Sequence, residues 1–532
     1  MRLALLALIP LAAFTQGLDP KALRLFGAPS DAWPTYNGDY SGRRYSPLNQ
    51  INATNIASLT PAWTYRIGGI GPQRGVGNPV IKSTPLLING VLYFTIPDHV
   101  FAVDARKGTL LWQYDWEDHG GHLVGNRGLG MYGNWLYFMG PDGWFISLDS
   151  RTGKERWRKK VADEKLQYFT TMAPMVVKNH IIVGVGGDAM DVRGYLESRD
   201  PETGDLQWRW WSEPEKPGDP GADTWPNKGA MDHGGGMTWL PGTYDPDLNL
   251  LYWGTGNANP VYAGQSRKGA NLWTASIVAL NADTGKLAWW FQASPHDTHD
   301  WDNVETPVLF DTVIDGRPRK LLAQAARCGY FFVLDRTNGK NLVSKGFVGV
   351  NWSKGVDAKG QPIPDPAKEP KVDGSLINIP GGGGTNWPPP SYNPDTGLFY
   401  VNAARGYSIA YLTDTEEQPE GYGGRGGGLI TEAVLEALDI RTGNIAWSHT
   451  YPSGTFGTSF SGILTTAGKL LFTGDPSSNL IAFDPATGRI LWHYRLPQNV
   501  SNGPSTYMLD GRQYVMVGAG DTLYAFAPPR AQ

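Results

Sequence analysis

Short strand-forming runs alternate with polar turns along this chain, and one such unit recurs. A run ending in Asp or Asn leads into a Thr-Gly or Lys-Gly step, and a second run closes on tryptophan. The copies are FAVDARKGTLLW ending at Trp112, ISLDSRTGKERW at Trp157, ESRDPETGDLQW at Trp208, VALNADTGKLAW at Trp289, EALDIRTGNIAW at Trp447 and IAFDPATGRILW at Trp492. A further copy, FVLDRTNGKNLV from Phe332, keeps the turn and lacks the tryptophan. Each unit predicts two paired strands. Asp and Thr side chains hydrogen-bond the turn backbone, and Gly accepts the positive φ of a tight hairpin.

The spacing predicts how these units assemble. Trp112 to Trp157 and Trp447 to Trp492 are both 45 residues, the length of a four-stranded propeller blade, about 40–50 residues. Trp157 to Trp208 is 51 and Trp208 to Trp289 is 81, so some blades carry insertions. Seven cassettes are visible. An eighth forms from the two ends, LTPAW ending at Trp63 and QYVMVGAGDTLYAFA near the finish. Pairing the ends closes the ring and hides the edge strands. The expected fold is therefore all-β, a single eight-bladed β-propeller over residues 19–532, with seven blades as the alternative. One tryptophan per blade at a fixed turn offset is explained by packing between neighbours, where large aromatics dominate.

Composition agrees and narrows the compartment. Gly 68, Pro 40 and Trp 21 in 532 residues suit many short strands joined by turns. A net charge of -4, with both signs interspersed, gives no reason to expect nucleic acid or an anionic membrane as partner. Arg2 followed by an apolar run from Leu3 to Phe14 reads as a cleaved signal peptide over residues 1–18, and hence as export to the periplasm. That run is shorter than the roughly 20 residues needed to span a bilayer. The single cysteine, Cys328, excludes an internal disulfide framework and a Cys-x-x-Cys-His haem attachment.

Five insertions carry chemistry in a fixed order: WPTYNGDYSGRRYSPLNQIN (33–52), GGGMTW (234–239), YWGTGNANP (252–260), SPHDTHDWD (294–302) and ARCGYFFVLDRTNGK (326–340). Together they resemble the quinoprotein alcohol dehydrogenases, which use pyrroloquinoline quinone (PQQ) in an eight-bladed propeller. The resemblance covers nearly the whole chain after the leader. It implies a metal-binding carbonyl oxygen at Asn257, as hard cations such as Ca²⁺ take oxygen ligands. It implies a general base at Asp300, since a carboxylate can take the alcohol proton as hydride leaves. Asp302, two residues on, faces the same site if the segment is extended, and permits a lanthanide as well as Ca²⁺.

The same resemblance places Trp239 against the flat quinone face and Arg327 at its reactive oxygens. Arg127 and Thr171 are expected to hold PQQ carboxylates, with Gly187 and Asn386 as further contacts. Three departures stand out. A vicinal cysteine pair is replaced by Gly121-His122. The usual metal-binding glutamate falls at about Ala189, so Asp188, or failing it Asp191, is expected to supply the acid. FGTSFSG (456–462) lacks an expected tryptophan. His299 stands where the family usually has Trp, and packing is the expected role.

The reading is thus a dehydrogenase acting on a small alcohol, with polyols, sugars or aldehydes as alternatives. Electrons would pass to a separate soluble cytochrome c, and a homodimer is left open. The alternative from another class is a non-catalytic propeller scaffold for protein partners, like outer-membrane assembly factors. That alternative explains the tryptophans but not Asn257, Asp300, Trp239 and Arg327 together.

Overall fold

The computed structural model describes residues 17–73, 77–117, 120–188, 190–314, 316–452 and 461–529. Most of the leader, Ala189 and residues 456–460 of FGTSFSG fall outside these. Each Asp-Thr-Gly unit forms the third and fourth strands of an antiparallel meander. Leu86–Ile88, Val91–Ile96, His99–Asp104 and Thr109–Asp115 pair in that order. Four-stranded meanders recur over 130–160, 175–211, 243–292, 308–346, 391–450 and 464–495. Thr60–Arg66 pairs antiparallel with Thr522–Ala527, completing a further sheet with Arg512–Ala519 and Ser505–Leu509. The chain is an all-β propeller. One five-residue α-helix, Lys228–Asp232, lies in the 209–232 insertion, and no described helix is long and apolar enough to cross a membrane.

Burial follows the strand order. The second and third strands are almost wholly buried, whereas fourth strands such as Thr109–Asp115 alternate exposed and half-buried positions. The fourth strands therefore form the rim, and the inner strands hold the core.

The tryptophans join the sheets. Six of the indoles lie on the turn glycine of the next sheet and donate their Nε1–H to a carbonyl there, whereas Trp492 packs edge-on against Phe526. Trp63 donates to Ala105, Trp112 to Ser150, Trp157 to Glu202, Trp208 to Ala282, Trp289 to Arg336 and Trp447 to Pro485, at 2.8–3.1 Å. The fit explains the invariant glycine of the unit. At Gly285, with φ +67°, a Cβ would lie 2.5 Å from Trp208 Cε3. Where the tryptophan is lost, Val343 and Lys345 pack under Gly443 instead. At the Trp289 joint Arg336, fully buried, donates to the Asp245 carboxylate at 2.7 Å and to the Phe310 carbonyl at 3.0 Å.

Candidate active site

The insertions bring the chemistry-bearing residues together in two linked groups. The first is centred on Arg327, at the turn after the strand Arg317–Ala325. Its Nη1 donates to Asp302 Oδ2 at 2.7 Å and its Nη2 to Asp300 Oδ2 at 3.0 Å. Asp300 has φ +62°, so the segment is not extended as the i, i+2 argument supposed. The two carboxylates converge because one guanidinium takes both. Asp302 Oδ1 in turn accepts the Asn257 backbone N–H at 3.1 Å. The Asn257 amide nitrogen donates to Asn259 Oδ1 at 3.2 Å, and Asn259 donates to the Asp188 carbonyl at 3.4 Å.

Burial sets the electrostatics here. Desolvation pushes the Asp300 carboxyl up to about 7, with Arg327 opposing and Asp302 and Asp297 reinforcing the rise. Burial likewise holds the Asp188 carboxyl well above the usual range, helped by Asp302 and Asp300. Burial works against the Arg327 charge, but Asp300, Asp302 and Glu305 more than offset it and raise its pKa. Asn257 Oδ1 and Asp188 Oδ1 are buried here with no hydrogen-bond partner, as are both carboxylate oxygens of Glu305. Unpaired buried oxygen is costly unless something not in the chain satisfies it.

Asp191, the alternative acid, points elsewhere. Both its carboxylate oxygens accept the Gly421 N–H, at 3.0 and 2.9 Å. Of the two acids flanking Ala189, Asp188 is the one that shares the field of Asp300 and Asp302.

The second group surrounds Arg127. Its guanidinium lies between two indoles, 5.0 Å from the Trp239 ring and 4.9 Å from the Trp387 ring. Its Nε and Nη1 are buried without a partner, and burial lowers its pKa to about 10. The Arg127 N–H donates to the Thr171 carbonyl at 2.9 Å, and the Thr171 hydroxyl to the Trp239 carbonyl at 3.2 Å. Gly187, φ +148°, leads directly into Asp188. The groups meet at Gly382, whose carbonyl accepts from Asn386 at 3.0 Å and from Arg327 at 3.3 Å.

An unpaired buried guanidinium between indoles fits a planar, carboxylate-bearing group. Two unpaired oxygens among carboxylates fit a hard cation. No three His, Cys, Asp or Glu side chains form a ready-made cage among the described residues; Asp300 and Asp302 each have an oxygen on Arg327.

The departures have physical reasons. A Cβ at Gly121 would fall 2.2 Å from Pro141 backbone atoms, so a cysteine does not fit there. The exposed His122 ring instead packs on Phe169, centroids 5.0 Å apart. His299 stacks on Trp301 at 4.3 Å and its Nε2 donates to the Lys368 carbonyl at 3.0 Å. Burial lowers its pKa to about 4, which agrees with a packing role. Sequence reasoning missed Asn259, inside YWGTGNANP, and Trp387, next to Asn386. It also missed Lys82, whose pKa burial and Arg127 lower to about 8.

Comparison with known proteins shows the family. The PQQ glucose/ethanol/alcohol dehydrogenase β-propeller domain matches residues 33–345 and 433–515. The quinohemoprotein alcohol dehydrogenase of Comamonas testosteroni is 38% identical, over 96% of this chain and 75% of its own. The quinoprotein alcohol dehydrogenase PedH of Pseudomonas putida is 37% identical, over 90% of this chain and 84% of its own. Among solved structures, a europium-containing methanol dehydrogenase superposes with TM-score 0.82 at 28% identity, covering 94% of this chain and 98% of its own.

Proposed function

This chain belongs to the PQQ-dependent alcohol dehydrogenase family, and on that premise we propose that it oxidises a small alcohol in the periplasm. In this reading the sheets are the eight blades of a ring closed by the terminal strands, holding PQQ and one Ca²⁺ or lanthanide ion. An external soluble cytochrome c takes the electrons. The unsatisfied polarity of Arg127, Asp188 and Asn257 is the observation that carries it. The apolar run after Arg2 supports export.

The residues divide the work. When bound, PQQ supplies the two-electron acceptor for the hydrogen on the alcohol carbon, and the metal ion supplies Lewis acidity beside it. Arg127 would grip a carboxylate of the cofactor, and Trp239, Thr171, Gly187 and Asn386 would complete its cradle. Asp188 and Asn257 offer oxygens to the ion, joined by Asp300 and Asp302. Three carboxylates around one guanidinium give this pocket an acidic excess suited to a highly charged cation. Asp300 accepts the hydroxyl proton, and Arg327 holds it in place.

Reconstitution with PQQ and either Ca²⁺ or a light lanthanide tests this by dye-linked alcohol oxidation. Asp300→Ala should keep the PQQ absorbance and lose turnover by at least a thousandfold. Failure to take up PQQ with either metal would refute the cofactor reading; normal turnover by Asp300→Ala would refute the choice of base.

A further inference from the structure

The hairpin of Leu398–Leu412 and Gly424–Asp439 is far longer than its sheet requires. The sheet strands Ser391–Asn393 and Ile445–Thr450 pair only with 398–400 and 434–438. Farther out Ser375–Ile377 pairs with 408–410, and the two long strands stay paired to Leu412↔Gly424 past one register shift at Tyr407/Ser408. Its tip, residues 413–423, is held by the segments around Val261 and Asp191. Val261 N–H donates to the Gly421 carbonyl at 3.0 Å and Tyr262 N–H to the Tyr422 carbonyl at 2.8 Å. From the other side the Asp191 carboxylate receives the Gly421 N–H at 3.0 and 2.9 Å. Asp191 is itself fixed, with φ +46° and its carbonyl 3.0 Å from His233 Nδ1.

This places two phenols beside the catalytic carboxylates. The Tyr262 hydroxyl stands in the field of Asp300 and Arg327, and that of Tyr422 in the field of Asp188, Asp300, Asp302 and Arg327. Gly424 lies so close to Tyr262 that a Cβ there would be 2.5 Å from the Tyr262 Cβ. Outside the tip a cavity of about 780 Å³ opens, bordered by Asp191, Arg193, Trp211, His233, Pro419 and Glu420. Asp191 thus borders that cavity and holds Gly421 as well.

We propose that Asp191 is a positioning residue that sets which alcohols are admitted. It latches the hairpin tip so that Tyr262 and Tyr422 form the outer wall of the substrate space beside Asp300. The proposal rests on the reading of that pocket as alcohol-oxidising. A wall held at a fixed distance favours short alcohols over long ones, since each methylene it excludes costs a factor of about 10 or more in specificity.

The test compares wild type, Asp191→Ala, Asp191→Asn and Tyr422→Ala, each loaded with PQQ and the supporting metal. The readout is kcat/KM for ethanol and 1-hexanol, with PQQ loading checked by absorbance. Asp191→Ala and Tyr422→Ala should raise the hexanol-to-ethanol ratio at least tenfold, mainly through the KM for hexanol. Asp191→Asn should keep the wild-type ratio, because its amide oxygen still accepts the Gly421 N–H. Hydrogen exchange on the cofactor-free proteins gives an independent reading: Gly421 protection is lost in Asp191→Ala and kept in Asp191→Asn. Tyr422 is about half exposed, so its truncation is informative even if Asp191→Ala folds poorly. An unchanged ratio in Tyr422→Ala with PQQ bound overturns the proposal alone. A wild-type holoenzyme that oxidises no alcohol overturns the functional reading and the proposal with it.

Discussion

Replacing Gly285 by alanine isolates the contact that joins one sheet to the next. The substitution costs about 1–2 kcal/mol for an L-residue in the left-handed region, since Gly285 has φ +67°. The new Cβ would lie 2.5 Å from Trp208 Cε3 and 2.7 Å from Cδ2, roughly 1 Å inside the usual carbon–carbon contact of about 3.5–4.0 Å. The indole must retreat by about that much, at an overpacking cost of about 1–3 kcal/mol. Its 3.0 Å hydrogen bond to the Ala282 carbonyl is then stretched, a loss of about 0.5–1.5 kcal/mol. The total is about 3–6 kcal/mol. The per-residue unfolding entropy makes that a fall in Tm of about 1 °C per kcal/mol for this chain. Thermal scans should compare Gly285→Ala with Gly397→Ala, where φ is +68° and nothing lies within 4 Å; the control should lose only about 1–2 kcal/mol. In a Trp208→Ala background the cost of Gly285→Ala should shrink to that same value. Equal costs with and without the indole would refute the docking argument.

Three further outcomes follow from buried polar groups. Arg127→Met should raise the Tm of the cofactor-free protein, because an unpaired buried guanidinium is removed, yet weaken PQQ binding at least a hundredfold by fluorescence titration. Arg336→Met leaves Asp245 buried and unpaired and should lower stability by about 3–5 kcal/mol in denaturant unfolding. Stability of the metal-free protein should rise as pH falls from 8.5 to 6.5, read as Tm. Burial raises Glu213 and Glu305 to about 8 and Glu436 to about 7. These raised acids favour the fold when protonated, and that contribution is lost as pH rises through the folded values. Below pH 6.5 the rise should become shallower, because His296 and His299, both lowered to about 4, resist the protonation that the unfolded chain accepts. A Tm that falls steadily from pH 8.5 to 6.5 would contradict the assignment.

Much of the scaffold was legible because it repeats. A turn that needs Asp, Thr and Gly at fixed offsets, followed by a tryptophan, marks each joint, and the structure places those indoles between sheets. Much of the site was legible for a different reason: its residues lie in short motifs whose chemistry is local. What was not legible depended on partners distant in sequence. Asp188 and Asp191 look alike in GVGGDAMDVRGY, and only the arrival of Gly421, 230 residues on, separates them. The convergence of Asp300 and Asp302 likewise came from Arg327 and a positive φ, not from strand alternation. Gly121 shows the converse, a site where neighbouring backbone forbids the residue that the resemblance suggested.

The missing tryptophan at Val343 has its own consequence. The sheet of residues 391–450 is bolted on one side, where Trp447 docks on Gly488, and merely leaned upon on the other, where Val343 and Lys345 meet Gly443. That sheet is also the one that sends the long hairpin to Asp191. The seam without an indole therefore stands directly behind the longest arm, which leans on Ser375–Ile377 at mid-length and on Asp191 at its tip.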